Sequence, residues 1–165
     1  MRYCINILLF LFCSIFSFGQ PFQRLPNETA EQFAERLKPD SSALTYKVLE
    51  TKWNAIPVII AFYEQAYKLP IQNDPGQQTY HKIDGAVFIQ SGNYKYSKTI
   101  FGTIDTEGGN PVIEAVFFAN ADTDTTKELI VIASWEQRHY DVNGTLYGTF
   151  VFDYDLTKAG SAWNL

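Results

Sequence analysis

From residue 45 onward the chain alternates apolar runs of strand length with short breaker clusters, and no breaker is long enough to hold a helix. Parallel neighbours need crossover connections of about a dozen residues or more, whereas antiparallel neighbours can be joined by tight turns. The short connections therefore favour an antiparallel arrangement over a parallel α/β design. In order, strands are expected over residues 46–50, 56–62, 83–90, 94–104, 112–119 and 128–135, with a last hairpin pairing roughly 137–141 with 145–154. Hairpin connections are expected at Ser91, Gly92 and Asn93 and about the Asn143-Gly144 pair, since Asn-Gly is a strong signal for a two-residue hairpin turn. The run IPVIIAF at residues 56–62 is almost continuously apolar, which predicts a central strand covered on both faces. Residues 58–68 (VIIAFYEQAYK) also fit a helical period, but Pro57 and the β-branched residues favour a strand. Residues 70–78 (PIQNDPGQQ) and 105–111 (DTEGGNP) concentrate turn formers and read as loops.

One helix precedes the strands. In residues 27–38 (NETAEQFAERLK) the apolar Ala30, Phe33, Ala34 and Leu37 recur at spacings of three and four, and Pro39 ends the pattern. Asn27 or Thr29 can cap the start, acidic Glu28 and Glu31 suit the N-terminal end, and Arg36 and Lys38 suit the other. A single apolar stripe on so short a helix predicts packing against a sheet. The expected fold class is mainly β (α+β), with one N-terminal helix followed by an antiparallel meander or sandwich of about seven strands.

Residues 1–19 read as a cleavable secretory signal, with Arg2 before an apolar stretch from residue 5 to residue 18 and the small Gly19 at its end. The stretch is short and interrupted by serine, where a membrane-spanning helix needs about 20 predominantly apolar residues. Residues 20–165 are then expected to form a single strand-rich domain of about 145 residues, enough for one core without disulfides. Both cysteines, Cys4 and Cys13, lie in the leader, so the mature chain has no thiol for a disulfide, a nucleophile or a thiolate metal site. Cys13 follows Phe12 inside the apolar stretch, which disfavours lipid anchoring. The leader removes one of 13 basic residues and none of 18 acidic ones, so the mature domain is more acidic than the whole-chain charge of −5. With its basic residues scattered, the chain lacks the positive stripe that nucleic acid requires. The expected location is secreted or periplasmic, with no membrane span after cleavage.

The most distinctive segment is residues 120–131 (NADTDTTKELIV), which places Asn120, Asp122, Asp124 and Glu128 at loop positions one, three, five and nine, directly before a strand. Calcium takes six to eight oxygen ligands at about 2.3–2.6 Å, and these side chains, with the Thr126 carbonyl and water, can supply most of them. The segment resembles the calcium loop of FG-GAP and VCBS-type repeats, in which Asp-x-Asn-Gly-Asp-Gly-x-x-Asp-Leu leads into a strand of a propeller blade. Here Asn120 stands for the first aspartate, Thr123 and Thr125 for the glycines, and Glu128 for the last aspartate. The resemblance implies a metal set of Asn120, Asp122, Asp124 and Glu128 and calcium as the cofactor. The same Asp and Thr residues equally suit a solvated hairpin loop that binds nothing.

A second string, Trp135-Glu136-Gln137-Arg138-His139-Tyr140-Asp141, places Trp135, Gln137, His139 and Asp141 on one strand face. His139 beside Asp141, or with Glu136, raises the alternative of a hydrolase. No strained nucleophile and no nearby second histidine accompany it, His81 being the only other one, so no catalytic residue is assigned and a non-enzymatic domain is expected. Tyr94, Tyr96, Tyr140, Tyr147 and Trp163 are candidates for an exposed aromatic face. The expected function is binding of a protein or glycan of the cell envelope. The composition, rich in Asn, Lys, Thr and Tyr after the leader, resembles exported proteins of Bacteroidetes-type bacteria.

Overall fold

The computed structural model describes residues 21–68 and 79–153, with the side chains of His139 and Val142 excepted. The leader expected over residues 1–19, the loop expected over residues 70–78 and the C-terminal residues from 154 onward lie outside the described residues. Among the described residues nine strands and one helix follow in the order β1 (Phe22–Gln23), α1 (Ala30–Arg36), β2 (Ser42–Leu44), β3 (Leu49–Trp53), β4 (Ile56–Lys68), β5 (Thr79–Gly92), β6 (Lys95–Ile104), β7 (Pro111–Ala119), β8 (Glu128–His139) and β9 (Val142–Phe152). Every pairing is antiparallel. A six-stranded sheet has the order β1-β6-β5-β4-β2, with β3 also on β4, and a three-stranded sheet has the order β7-β8-β9. No helix among the described residues is long and apolar enough to cross a membrane.

The apolar run of β4 is placed as its composition requires. Ile59, Ala61 and Tyr63 pack under α1 with Ala86, Phe88 and Tyr96, while Val58, Ile60 and Phe62 face the second sheet together with Ile83, Val87 and Phe101. The second sheet answers with Ile113, Leu129, Val131, Ala133, Trp135 and Phe152. The result is three layers: helix, large sheet, small sheet. Burying each Val, Leu, Ile or Phe among them contributes about 1.5–3 kcal/mol.

Helix α1 begins at Thr29, whose side chain accepts from the Gln32 backbone N–H while the Gln32 side chain accepts from the Thr29 N–H, a reciprocal capping box. Its apolar stripe docks through Phe33, which meets the Phe88 and Tyr96 rings at 5.2 and 5.1 Å. The buried Tyr63 hydroxyl donates to the Ala34 carbonyl at 2.8 Å. Lys98 donates to the Leu37 carbonyl at 2.8 Å, placing a cation at the negative end of the helix. Burial holds the Lys98 ammonium below the usual lysine range and, with a smaller contribution from Glu35, pushes the Tyr63 hydroxyl well above the usual tyrosine range.

Three expectations need correction. The strand expected over residues 46–50 is broken, because β2 and β3 both pair with β4 along one edge. Leu44 opposes Tyr63 and Leu49 opposes Ile60, so five steps of chain cover three of β4 and the excess leaves the ladder at residues 45–48. The turn expected at Ser91, Gly92 and Asn93 falls at Asn93 and Tyr94, after a bulge between Gln90 and Gly92. The last hairpin turns at Tyr140 and Asp141, with Tyr140 at φ 50°, and Asn143 and Gly144 lie inside β9 opposite Arg138 and Gln137.

Packing explains why the Asn-Gly signal is overridden in that last hairpin. The observed register sets Phe152 against Leu129, Phe150 against Val131 and Gly148 against Ala133, which keeps both phenylalanines over the core. Gly148 lies beneath the Trp135 indole, where an added Cβ would stand 2.9 Å from the ring. A turn at Asn143-Gly144 would slide the phenylalanines towards the hairpin end and remove this seat for Trp135.

Two outcomes follow. Gly148→Ala forces Trp135 to move and is expected to cost about 1–3 kcal/mol in urea unfolding, whereas Gly144→Ala, which meets nothing within 4 Å, stays within about 0.5 kcal/mol. Because the folded pKa of Tyr63 is raised, its contribution is complete below the ordinary tyrosine value of about 10 and fades as pH rises above it. Tyr63→Phe is therefore expected to cost about 1 kcal/mol at neutral pH, and to lose less further stability than the parent in denaturation series above that pH.

Candidate functional site

The loop between β7 and β8 closes on the pair Ala119 and Glu128, the last rung of their ladder. Inside it the Asp and Thr side chains fold the backbone onto themselves, as short oxygen-bearing side chains do in turns. Asp122 Oδ1 accepts from the Asp124 N–H at 2.8 Å, and Asp124 Oδ1 accepts from both the N–H and the hydroxyl of Thr126 at 2.7 Å. Asn120 Nδ2 donates to the Asp124 carbonyl, tying the first loop position to the fifth. Glu128 reaches back so that its Oε2 accepts from the Ala121 N–H.

These turns bring three of the four expected metal residues together. Asp122, Asp124 and Glu128 each offer a carboxylate oxygen, and the three oxygens lie within 4.8 Å of one another. Oxygens sharing one calcium ion at about 2.3–2.6 Å can be at most roughly 4.6–5.2 Å apart, so the spacing fits a common cation. Asn120 belongs to the same loop, braced by its amide nitrogen.

The electrostatics are one-sided. Hydrogen bonds from the Thr126 hydroxyl and backbone N–H hold the Asp124 carboxyl below the usual carboxylate range, so it stays ionised beside two further carboxyl groups. None of the three makes an ion pair among the described residues. Glu128 differs from its neighbours in burial: Asp122 and Asp124 are exposed, but Glu128 is only 3% exposed. Its Oε1 has no hydrogen-bond partner among the described residues. A buried polar atom left unpaired costs about 1–3 kcal/mol, and more when charged. The side chain that carries it is one of the three whose carboxylates converge.

The loop's exit is held by the other sheet. The β3–β4 hairpin turns at Asn54 and Ala55, and Asn54 Oδ1 accepts from the Lys127 N–H at 3.0 Å. The Lys127 carbonyl accepts from Trp53 Nε1 at 2.6 Å and from Asn54 Nδ2 at 3.3 Å. Sequence reasoning missed these two residues. The Trp53-Asn54-Ala55 turn was visible only as a break between two strands, and nothing local to it points 73 positions along the chain.

The other candidates are dispersed. Glu136 and Arg138 form an exposed pair at 3.7 Å in a shallow open cleft lined also by Gln137, Asn143, Gly144 and Thr145. Asp141 sits in the turn rather than on the strand face expected for it, and the His139 side chain lies outside the described residues. His81 is on β5, its Nδ1 2.6 Å from Glu64 Oε1. Of the expected aromatic face, Tyr96 is 5% exposed and belongs to the core under α1, because it alternates inward opposite Gln90. Tyr94, Tyr140 and Tyr147 are exposed on separate elements, and Trp163 lies outside the described residues.

No known protein family, curated protein or solved structure matches the chain.

Proposed function

We propose that the chain is an exported, non-catalytic binding domain whose loop at residues 120–128 takes up a divalent cation and uses it to stiffen the join between the two sheets. One observation carries this reading: the buried, unpaired Oε1 of Glu128 on a side chain that converges with Asp122 and Asp124. The donor set is all oxygen, which suits calcium, and the flexible carboxylates of an exposed loop suit calcium better than magnesium, which demands near-ideal octahedral geometry. The resemblance of residues 120–131 to FG-GAP and VCBS-type calcium loops supports the same choice. The leader at residues 1–19 supports export, and calcium sites of this openness work where the free ion is abundant, outside the cytoplasm.

Thermal unfolding tests the reading. Calcium at one hundred times its dissociation constant is expected to add about 2.7 kcal/mol, chelator is expected to remove the gain, and Glu128→Gln combined with Asp122→Asn is expected to abolish it. An unchanged melting temperature at millimolar calcium would contradict the proposal.

A second reading is favoured by the outer face of the small sheet. Val112, Phe117 and Tyr147 are 52%, 44% and 65% exposed there, around the pair in which the Ser134 hydroxyl donates to Glu114 Oε1 at 2.5 Å. An exposed aromatic ring on the same sheet face as the exposed Glu114 carboxylate is suited to a glycan or protein of the cell envelope. Titration with soluble envelope polysaccharides checks it: Tyr147→Ala is expected to weaken binding about tenfold or more, and affinity unchanged by that substitution would remove this face from consideration.

A further inference from the structure

Resting on the cation reading of the loop, we propose that Trp53 and Asn54 are positioning residues for the ion, so that the β3–β4 turn of the large sheet and the cation loop of the small sheet are thermodynamically coupled. The geometry is a clamp on both stems of the loop. On the exit stem, Asn54 engages the N–H and the carbonyl of Lys127, and Trp53 Nε1 shares the carbonyl. Those atoms belong to the two peptide units flanking Lys127, so the backbone leading into Glu128 has little freedom left. A trans peptide sets its C=O and N–H in opposite directions. The hydrogen bond from the Lys127 N–H to Asn54 therefore also fixes the direction of the Thr126 carbonyl, the one backbone oxygen that the sequence spacing assigns to the ion. On the entry stem, the Trp53 indole packs against Phe118 with ring centres 5.6 Å apart, two residues before Asn120. Trp53 itself is fully buried.

The turn that carries the clamp is under backbone strain. Asn54 and Ala55 lie at φ 46° and 71°, the paired left-handed conformation of a type I′ hairpin turn. Asparagine is at home there, but alanine is not, and a left-handed alanine costs about 1–2 kcal/mol. The two Asn54 bonds to Lys127 fasten this turn to the loop stem. A filled site holds Glu128 and Lys127 in place and so favours the docked turn, while an undocked turn releases Lys127 and weakens the site. Reciprocity is required, because each process changes the other's equilibrium by the same factor.

The decisive pair of variants is Asn54→Gly and Ala55→Gly in the full mature chain. Glycine accepts the left-handed backbone at either position, so both variants keep the turn, but only Asn54→Gly removes the two Asn54 bonds to Lys127. Calcium affinity by calorimetry is expected to fall about tenfold in Asn54→Gly and to stay within twofold of the parent in Ala55→Gly. Calcium is also expected to change the emission of the parent in a way that Trp53→Phe eliminates. Parent protein that binds calcium, with Asn54→Gly folded and binding within twofold of it, would overturn the clamp and leave the cation site standing. A parent that binds no calcium would overturn both. Should Asn54→Gly prove unfolded by circular dichroism, the emission response decides: a calcium-bound parent with silent Trp53 emission overturns the coupling.

Discussion

Burial of β4 and β5 on both faces is the constraint on which the other layers depend. From Val58 to Tyr63 every residue of β4 is buried, alternating between the helix side and the small-sheet side. A strand pair this apolar cannot face water on either side, so the chain must supply two covers. The helix is one, held by Phe33 and by the Tyr63 and Lys98 hydrogen bonds to its carbonyls. The β7-β8-β9 sheet is the other, and its inner face is matched in bulk: Phe101 meets Phe152 edge-on at 4.8 Å, and Trp135 fills the end opposite Gly148.

Trp53 and Trp135, both buried, give this packing its orientation. Each lays its ring in the core and points its single N–H at a backbone carbonyl of a connecting segment, Trp53 at Lys127 and Trp135 at Asp105. An indole buried without such a partner would lose much of what its burial contributes. Both bonds join regions remote in sequence, so they tie the two sheets at separated points. The loop at residues 120–128 lies at the Trp53 point, so an ion held there as proposed would bear on the whole join rather than on one exposed turn.

Much of this was legible in the sequence. Residues 56–62 announced a doubly covered strand, residues 27–38 a capped helix with one apolar stripe, and the short breakers an antiparallel arrangement. Local signals failed where distant packing outranked them. The Asn143-Gly144 pair lost to the seat that Gly148 provides for Trp135, and residues 42–53 gave two strands because both must share one edge of β4. The convergence of Asp122, Asp124 and Glu128 could be anticipated from their spacing. The burial of Glu128 and the clamp from Trp53 and Asn54 could not, since both arise from contacts across the sheets.

The central functional claim is that three carboxylates and one unpaired buried oxygen mark a cation position. The most direct measurement is a crystal structure of the mature protein grown with excess calcium, with anomalous scattering to locate the ion. One ion within about 2.3–2.6 Å of oxygens from Asp122, Asp124 and Glu128 is the predicted result. A loop free of any ion at saturating calcium, with Glu128 Oε1 bound instead to a protein donor or an ordered water, would contradict it.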